Sequence, residues 1–369
     1  MKINILLPYK ENFDLLKASS VSITVKNNIT HSHFKKNINI FGKSVENPLF
    51  PQNFIGLESK YLFLQSKNKY LARKMCEFII KGNEKKNLIE IHNRPYLYKL
   101  VRKKIKNIPV LLFFHNDPLE MLGSKTLKER MFLLSETAGI VCVSQYIKDK
   151  FLEGITLNHE KVYVLHNGVD RKIKLFPIKK KEVLYVGRIV KEKGIDLFVN
   201  TITKISPQFD NWKFCICGSS KLGDDFEKSK FALEIEKKIK NIGKKVTFLG
   251  YINNDEVQKR MQKAAIIVAP SVWPEPFGLV VAEGMSNGCA ILTSNVGGIK
   301  EIVKNNGIVI ENITEKKLEK HLVELISNNK LLSCYQKKAW ENFNHSSLNS
   351  SKKLDDIRTL ILKKYQFIL

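Results

Sequence analysis

The chain has 369 residues, of which 43% are hydrophobic and 27% are charged, as expected for a chain that buries a sizeable core. This composition excludes a mostly disordered protein and a small disulfide-stapled domain, and the length predicts two domains. The 62 Lys and Arg residues against 36 Asp and Glu give a net charge of +26, which favours anionic partners. Only 8 residues are arginine, the side chain that nucleic-acid readers prefer, so a lysine-rich genome composition explains the charge equally well.

Continuous apolar runs separated by helical stretches occupy the N-terminal half of the chain. Such runs are typical of strands covered on both faces, and their alternation with helices predicts an open parallel sheet. A helical stretch is predicted around residues 59–81. The predicted strands are residues 2–8, Leu88–His92, Pro109–His115, Ile140–Ser144 and Val162–His166.

The second half repeats this alternation more regularly and predicts another doubly wound α/β domain. The predicted strands are Val183–Gly187, Trp212–Gly218, Val246–Tyr251, Ala265–Pro270, Cys289–Ser294 and Ile308–Glu311. The predicted helices are Gly194–Ile205, about 225–242, 254–263 and about 279–287.

Lys-rich polar sequence near residues 171–181 marks a hinge between the two halves. We therefore divide the chain into an N-terminal domain of residues 1–172, a C-terminal domain of residues 173–345 and a final helix at 346–369 that packs back towards the N-terminal domain. In doubly wound sheets, ligands bind at the carboxyl ends of the strands, so the expected site is a cleft between the two domains.

The strongest functional signal is the sequence Pro-Glu-Pro-Phe-Gly around Glu275. The flanking prolines stiffen the loop, and Gly278 then begins a helix whose first N–H groups, those of Leu279 and Val280, are free to bind an anion. Glu283 follows about one turn later, where its carboxylate can accept hydrogen bonds from hydroxyls. Two carboxylates beside an anion-binding helix start suit a ligand that is part phosphate and part polyol, such as a nucleotide sugar.

A second signal lies at Gly187, where the first strand of the C-terminal domain ends. Arg188 and Lys193 flank the turn into the next helix, where they could neutralise a diphosphate. Solvated cations beside a strand end would give the same pattern, but the glutamate-containing loop weakens that interpretation.

Taken together, these motifs resemble the retaining glycosyltransferases of family 4, which have the GT-B fold of two Rossmann-like, doubly wound parallel-sheet domains facing an interdomain cleft. Glu275 and Glu283 meet the family's Glu-x(7)-Glu spacing, and residues 166–170 match the family's usual sequence at the domain junction. The resemblance is strong over roughly residues 160–310 and weaker over residues 1–160.

The resemblance implies roles for residues of the C-terminal domain. Arg188 and Lys193 would hold the donor diphosphate, Glu275 would contact the reacting sugar as a catalytic residue, and Glu283 would bind the ribose hydroxyls. The remaining residues expected to line the donor site are Gly187, Gly218, Tyr251, Phe277, Gly278, Leu279 and Val280.

In the N-terminal domain, His115 follows a predicted strand and matches the family's catalytic histidine beside the reacting sugar. Many relatives carry paired glycines after the first strand, whereas the first glycine of this chain is Gly42. Ser19 or Ser20 could cap the following helix there and donate hydrogen bonds. The acceptor-side candidates are therefore Ser20, His92, Asn93 and Arg94, and a capped strand-to-helix turn explains the last three equally well.

The resemblance also implies transfer of a hexose-type sugar from a nucleotide diphospho-sugar, with retained anomeric configuration, to a glycan or lipid-linked acceptor. Such acceptors include cell-envelope glycolipid, lipopolysaccharide and polysaccharide. The leaving diphosphate would take the acceptor's proton, and no metal or other cofactor is expected. The chain contains no Asp-x-Asp triplet, and Asp224-Asp225 and Asp355-Asp356 are interpreted as helix-surface charge.

Two other functions remain open: a nucleotide-sugar epimerase on the same fold, and a basic nucleic-acid-binding protein. The second does not account for the motif from Glu275 to Glu283, so we expect no nucleic-acid partner. Basic residues within Lys99–Lys106 suggest docking on an anionic membrane surface, with a solvated lysine face as the alternative. No apolar run is long enough to cross a bilayer, so we expect a cytoplasmic protein that docks at the inner face of the cytoplasmic membrane.

Overall fold

The computed structural model describes residues 1–58, 66–82, 87–156, 159–219 and 229–366. The chain forms two compact units, each built on one parallel sheet, which confirms the predicted α/β fold class. Unit 1 comprises Met1–Gly168 and Ser347–Leu369, and unit 2 comprises Val169–Ser346. Parts of the predicted elements lie outside the described residues, namely 59–65, 225–228 and 367–369, as do Asp224 and Asp225.

Unit 1 contains a seven-stranded parallel sheet in the order β3-β2-β1-β4-β5-β6-β7. The strands are β1 (Lys2–Leu6), β2 (Ile38–Lys43), β3 (Phe54–Leu57), β4 (Asn87–His92), β5 (Val110–Phe114), β6 (Gly139–Cys142) and β7 (Val162–Val164). The inner strands β4 and β5 are buried along their whole length. The sequence of β5 is continuously apolar, as a strand covered on both faces requires, whereas β4 also buries Glu90 and His92. The strand order changes direction between β1 and β4, which is where open sheets of this kind bind ligands.

The helices of unit 1 flank this sheet. They are α1 (Ser20–Thr30), α2 (Lys67–Lys81), α3 (Leu97–Lys104), α4 (Leu127–Glu136), α5 (Gln145–Leu152) and, from the end of the chain, α13 (Ser347–Gln366). Thr126 and Glu129 begin α4 with a reciprocal capping box, which satisfies two N–H groups at the helix start.

Unit 2 contains a six-stranded parallel sheet in the order β10-β9-β8-β11-β12-β13. Its strands are β8 (Lys180–Val186), β9 (Lys213–Cys217), β10 (Val246–Gly250), β11 (Ala264–Ala269), β12 (Ala290–Ser294) and β13 (Ile308–Ile310). Its helices are α6 (Ile195–Ile205), α7 (Lys230–Ile242), α8 (Asn254–Lys263), α9 (Leu279–Ser286), α10 (Ile299–Val303), α11 (Glu315–Ser327) and α12 (Asn329–Glu341). The order changes direction between β8 and β11, so the loops after these two strands flank the expected binding edge.

Two strands of unit 1, β2 and β3, were not predicted from the sequence. Strand β2 carries Asn39 and Gly42 among its apolar residues, which interrupts the continuous pattern that identified the other strands. Strand β3 has only four residues and lies at the edge of the sheet, half-exposed. Helix α1 was expected only as the helix that Ser19 or Ser20 would cap, and its extent was not predicted because its buried face includes Asn27 and Asn28.

The interpretation of Asp355 as surface charge was wrong, because this residue is 2% exposed in unit 1. The Arg358 guanidinium lies beside it on α13, with Nη1 donating to Asp355 Oδ1 at 3.1 Å. The same guanidinium binds Glu90 of β4 at both carboxylate oxygens, with Nε and Nη2 donating at 2.7 and 2.9 Å. A buried ionic network therefore joins α13 to the middle of the sheet, whereas Asp356 faces solvent.

Among the helices that the structure describes, none combines the length and the apolar character needed to cross a membrane.

Candidate active site

Glu275 lies in the loop between β11 and α9 and is held at both its side chain and its backbone. Its Oε1 accepts hydrogen bonds from Lys193 Nζ, at 2.6 Å, and from the Ser271 hydroxyl. The N–H of Gly298 donates to the Glu275 carbonyl at 2.7 Å. Gly297 has a φ of +60°, and a Cβ there would lie 2.1 Å from that carbonyl oxygen, so only glycine fits without displacing the loop.

The turn that follows β8 carries the two predicted cations. Lys193 lies at the end of a short 3-10 turn and is the partner of Glu275, whereas the Arg188 side chain is exposed and makes no ion pair within the described part of the chain. The Tyr185 hydroxyl donates to the Arg188 carbonyl at 3.1 Å and fixes the start of the turn. Beside it, the N–H of Gly187 donates to the Cys217 carbonyl at 3.0 Å.

Helix α9 begins without a side-chain cap. Gly278 occupies the capping position with a φ of +97°, and its carbonyl accepts hydrogen bonds from Val281 and Ala282 at 3.0 and 3.2 Å. The N–H groups of Leu279 and Val280 have no hydrogen-bond partner among the residues that the structure describes. Two free donors and the positive end of the helix dipole make this helix start a site for an anion.

Glu283 lies one turn further along α9 and is 5% exposed. Asn254 Nδ2 donates to its Oε1 at 3.0 Å, and Gln258 is a second hydrogen-bonding neighbour from α8. Burial raises the pKa of this carboxyl to about 7 despite these hydrogen bonds. Asn253 and Glu256 form a capping box that begins α8 and so places Asn254, which the sequence analysis did not identify.

The remaining donor-side candidates also follow the carboxyl ends of strands in unit 2. Gly218 follows β9, and its N–H donates to the Gly250 carbonyl at 2.7 Å. Tyr251 follows β10 with 47% of its surface exposed, whereas Phe277 is buried and packs edge-on against His345. Because β8 to β11 are neighbours in one parallel sheet, all of these residues lie at the same edge of it.

A separate cluster lies at the carboxyl ends of β4 and β5 in unit 1. His92 Nδ1 and His115 Nε2 are 2.8 Å apart, and both rings are buried. Burial lowers the pKa of His115 to about 4 and, together with His115, lowers the pKa of His92 well below its usual value. The side-chain oxygen of Asn93 accepts a hydrogen bond from the His115 backbone N–H at 2.8 Å, and Arg94 Nη1 donates to the Asn93 carbonyl at 2.6 Å.

The helix after β1 is capped by Ser19 rather than Ser20. The Ser19 hydroxyl accepts from the N–H of Ser22, whereas Ser20 is an exposed residue in the first turn of α1. Ser19 also donates to the carboxylate of Glu11, a residue that the sequence analysis did not select. Burial raises the pKa of Glu11 against the opposing effects of Ser19 and the Arg94 charge. Glu11 therefore lies in the loop after β1, with its carboxylate held by Ser19.

In unit 2, cations and free N–H groups are of the kind that can bind a phosphate, and two carboxyl groups can accept hydrogen bonds from hydroxyls. Within the described ranges, no group of three or more His, Cys, Asp or Glu side chains is placed to hold a metal ion.

A titration experiment tests the buried carboxyl of Glu283. Because its pKa rises from an ordinary 4.5 to about 7 on folding, its stabilising contribution is complete below pH 4.5 and is lost as the pH rises through 7. Glu283→Gln keeps an acceptor for Asn254 but cannot ionise. The difference in unfolding free energy between this variant and wild type should therefore change with pH. We expect it to shift by roughly 3 kcal/mol in favour of the variant as the pH rises from 4.5 to 8, measured by urea unfolding. A difference that does not change with pH would contradict the assignment.

The chain is similar to known glycosyltransferases over both of its units. The family described as Glycosyl transferases group 1 matches residues 167–341, and the one described as Glycosyltransferase Family 4 matches residues 45–172. An uncharacterised glycosyltransferase of Methanocaldococcus jannaschii is 27% identical over 310 residues, which cover 74% of this chain and 77% of that protein. The lipopolysaccharide 1,2-N-acetylglucosaminetransferase of Salmonella typhimurium is 24% identical over 293 residues, covering 76% and 69%. The chain spans about three fifths of the length of other curated relatives it matches.

Solved structures give the same fold. The crystal structure of HepE from Anabaena in complex with UDP and glucose superimposes with a TM-score of 0.76 at 15% identity, covering 97% of this chain and 99% of that one. The two family matches together run from residue 45 to residue 341. The chain therefore belongs to the family 4 glycosyltransferases, transferase enzymes with the GT-B fold.

Proposed function

We propose that this glycosyltransferase moves a hexose-type sugar from a nucleotide diphospho-sugar to a glycan or lipid-linked acceptor, with retention of anomeric configuration. The observation that carries the proposal is the set of groups in unit 2: Lys193 paired with Glu275, and the free N–H groups at the start of α9. HepE was crystallised with UDP and glucose, and the Salmonella relative is named for lipopolysaccharide, which supports a nucleotide-sugar donor and a cell-envelope acceptor.

In the proposed mechanism, the sugar leaves the diphosphate on the same face from which the acceptor enters. The acceptor's hydroxyl proton passes to the leaving phosphate oxygen as the new glycosidic bond forms. Arg188, Lys193 and the N–H groups of Leu279 and Val280 stabilise the negative charge that develops on the diphosphate. These protein groups supply the positive charge that a divalent metal supplies in other transferases, so we propose that the reaction needs none.

The carboxylates have separate roles in this proposal. Glu275, held by Lys193 and Ser271, orients the hydroxyls of the transferred sugar. Glu283 accepts hydrogen bonds from the two ribose hydroxyls of the nucleotide. In unit 1, His115 contacts the reacting sugar, and Asn93, Arg94 and Glu11 are candidates for acceptor contacts.

A thermal-shift screen with several nucleotide sugars tests the donor assignment. We expect at least one donor to raise the melting temperature, since a ligand at 100 times its Kd adds about 2.7 kcal/mol of stability. Glu283→Ala should weaken that donor on the order of 10- to 100-fold, because the two proposed hydrogen bonds to the ribose hydroxyls are lost. Glu234→Ala, which removes an exposed carboxylate on α7, is the matched control and should bind as wild type does.

Two outcomes would contradict this assignment: no nucleotide sugar stabilises the protein, or Glu283→Ala and Glu234→Ala bind the donor equally well. Release of free nucleotide in the absence of any acceptor would instead favour the epimerase alternative.

We also propose that unit 1 docks on an anionic membrane surface through α3 and its surroundings. Lys99, Lys103 and Lys104 are exposed, and Lys99 also lines an apolar cavity of about 400 Å³ together with Tyr96, Leu122 and Phe132, among others. Leu122 is 64% exposed. Arg102, which the sequence analysis grouped with these cations, instead donates to backbone carbonyls at the end of α3, including that of Ile108 at 3.1 Å.

Sedimentation with phosphatidylglycerol vesicles at low salt tests this docking. Each cation near an anionic surface is worth about 1 kcal/mol, so Lys103→Glu/Lys104→Glu should weaken binding by at least about 30-fold. Lys352→Glu/Lys353→Glu makes the same change in net charge on exposed positions of α13 and should weaken it much less. A wild-type protein that stays in the supernatant, or equal losses in both variants, would rule the docking surface out.

A further inference from the structure

The geometry of the His92–His115 pair in unit 1 also determines which ring nitrogens carry protons. The His92 ring stacks on Phe113, with centroids 4.3 Å apart and planes 8° from parallel, and its Nδ1 lies 2.8 Å from His115 Nε2. Both pKa values lie below neutrality because the rings are buried, so both imidazoles are neutral at pH 7. In a neutral pair one nitrogen donates a proton and the other accepts it.

The surroundings of His92 Nε2, the ring nitrogen that does not face His115, determine which histidine donates the hydrogen bond. Its Nε2 is buried and has no hydrogen-bond partner within the part of the chain that the structure describes. A proton on Nε2 would leave a buried N–H unpaired, which is costly, whereas a proton on Nδ1 is paired with His115. The favoured tautomer of His92 therefore carries its proton on Nδ1.

We infer that His92 is a positioning residue that donates from Nδ1 to His115 Nε2 and thereby fixes His115 as the tautomer protonated on Nδ1. His115 then offers an N–H donor from its other nitrogen, and its Nε2 lone pair is already engaged. This inference rests on the proposed function in one respect, namely that His115 contacts the reacting sugar.

The consequence for the reaction is a division of roles. A His115 of this tautomer orients a sugar oxygen by donating a hydrogen bond, and it does not remove the acceptor's proton. This agrees with the mechanism proposed above, in which the leaving diphosphate takes that proton. The sequence alone placed two candidate histidines after strands that are consecutive in the chain, but it gave no reason to expect a hydrogen bond between them.

Two-bond 1H–15N correlation spectra of the protein labelled with 15N-histidine test the inference directly. The chain has 8 histidines, and spectra of His115→Gln and His92→Asn assign the pair. In the wild type at pH 7.5 we expect His115 to be protonated on Nδ1, with a preference on the order of tenfold or more over the Nε2 form. A wild-type His115 protonated mainly on Nε2 would overturn the inference.

Two variants separate positioning from packing. His92→Phe keeps the ring on Phe113 but removes the donor, so the His115 preference for Nδ1 protonation should be lost. His92→Asn places an amide N–H near the position of Nδ1 and should retain that preference. An unchanged His115 spectrum in His92→Phe would also overturn the inference, and the wild-type spectrum decides alone if that variant does not fold.

These spectra need no substrate. The tautomer inference and the proposed function can therefore be tested, and contradicted, independently of each other. A donor screen without a hit would count against the proposed function and leave the tautomer result in place. Conversely, the wrong tautomer would remove only the role given to His92.

Discussion

Replacing Arg358 with methionine should lower the unfolding free energy of unit 1 by about 3–5 kcal/mol, the range found when one partner of a buried ion pair is removed. Both Arg358 and Glu90 are 0% exposed, and two hydrogen bonds of 2.7 and 2.9 Å join them. Without the guanidinium, the Glu90 carboxylate would remain in the middle of β4 with its charge unbalanced. Urea unfolding followed by far-UV circular dichroism measures the loss.

A double variant distinguishes the lost charge balance from lost packing. In Glu90→Met/Arg358→Met both charges of the bidentate pair are gone and apolar side chains of similar volume replace them, a change that is often neutral or stabilising in other proteins. Asp355 loses its contact with Arg358 in both variants but keeps the hydrogen bonds from the Ser32 hydroxyl and the His33 N–H. We therefore expect the double variant to recover most of the stability that Arg358→Met loses. A single variant within about 1 kcal/mol of wild type, or a double variant less stable than the single, would show that the pair does not hold α13 to the sheet.

Gly297→Ala should lower the kcat of sugar transfer about 100-fold, the penalty typical of a misplacement of about 1 Å in an active site. The added Cβ would lie 2.1 Å from the carbonyl oxygen and 2.6 Å from the nitrogen of Glu275, so the loop that carries this carboxylate must move. The pairing of Glu275 with Lys193 and Ser271 would then be disturbed at the centre of the proposed donor site. The measurement is kcat and KM with the donor that the thermal-shift screen identifies.

Gly243→Ala is the matched control for this variant. Gly243 also has a positive φ, +83°, but nothing lies within 4 Å of a Cβ placed there. Alanine at this position, with φ +83° and ψ −152°, bears the strain of a backbone region that essentially only glycine occupies, about 1–3 kcal/mol, without moving a neighbour. We expect its kcat to equal that of wild type. Equal losses in the two variants would mean that backbone strain, and not displacement of Glu275, causes the effect.

The sequence predicted those parts of the molecule that depend on one contiguous segment. Strands such as β5 and β11 are continuous apolar runs because helices cover both faces of the sheet, so they can be identified without knowing their neighbours. The donor-side motifs could be identified in the same way, because each lies in one contiguous segment. Lys193 and Gly194 follow one strand end, and Glu275 to Glu283 follow another. A parallel sheet brings the ends of neighbouring strands to one edge, which predicts that both segments belong to one site.

What the sequence could not predict depends on contacts between distant segments. The sequence around Asp355 is typical of an exposed, charged helix. Its burial follows only from the fold, which places the Ser32 hydroxyl and the Arg358 guanidinium within hydrogen-bond distance of its carboxylate. Asn254 has no motif of its own and matters only because α8 places it beside Glu283. The histidine pair likewise forms because β4 and β5 are neighbours in the sheet, which the chain order alone does not establish.

Isothermal titration calorimetry with a nucleoside diphosphate series in the presence of EDTA tests the central claim most directly. The account predicts that one nucleoside diphosphate binds to the wild-type protein at a single site without a divalent metal. It also predicts that Arg188→Ala/Lys193→Ala loses that binding by on the order of 100-fold, since two charge-assisted contacts to the diphosphate are removed. Binding that requires a metal, or that is equally tight in the double variant, would contradict the account.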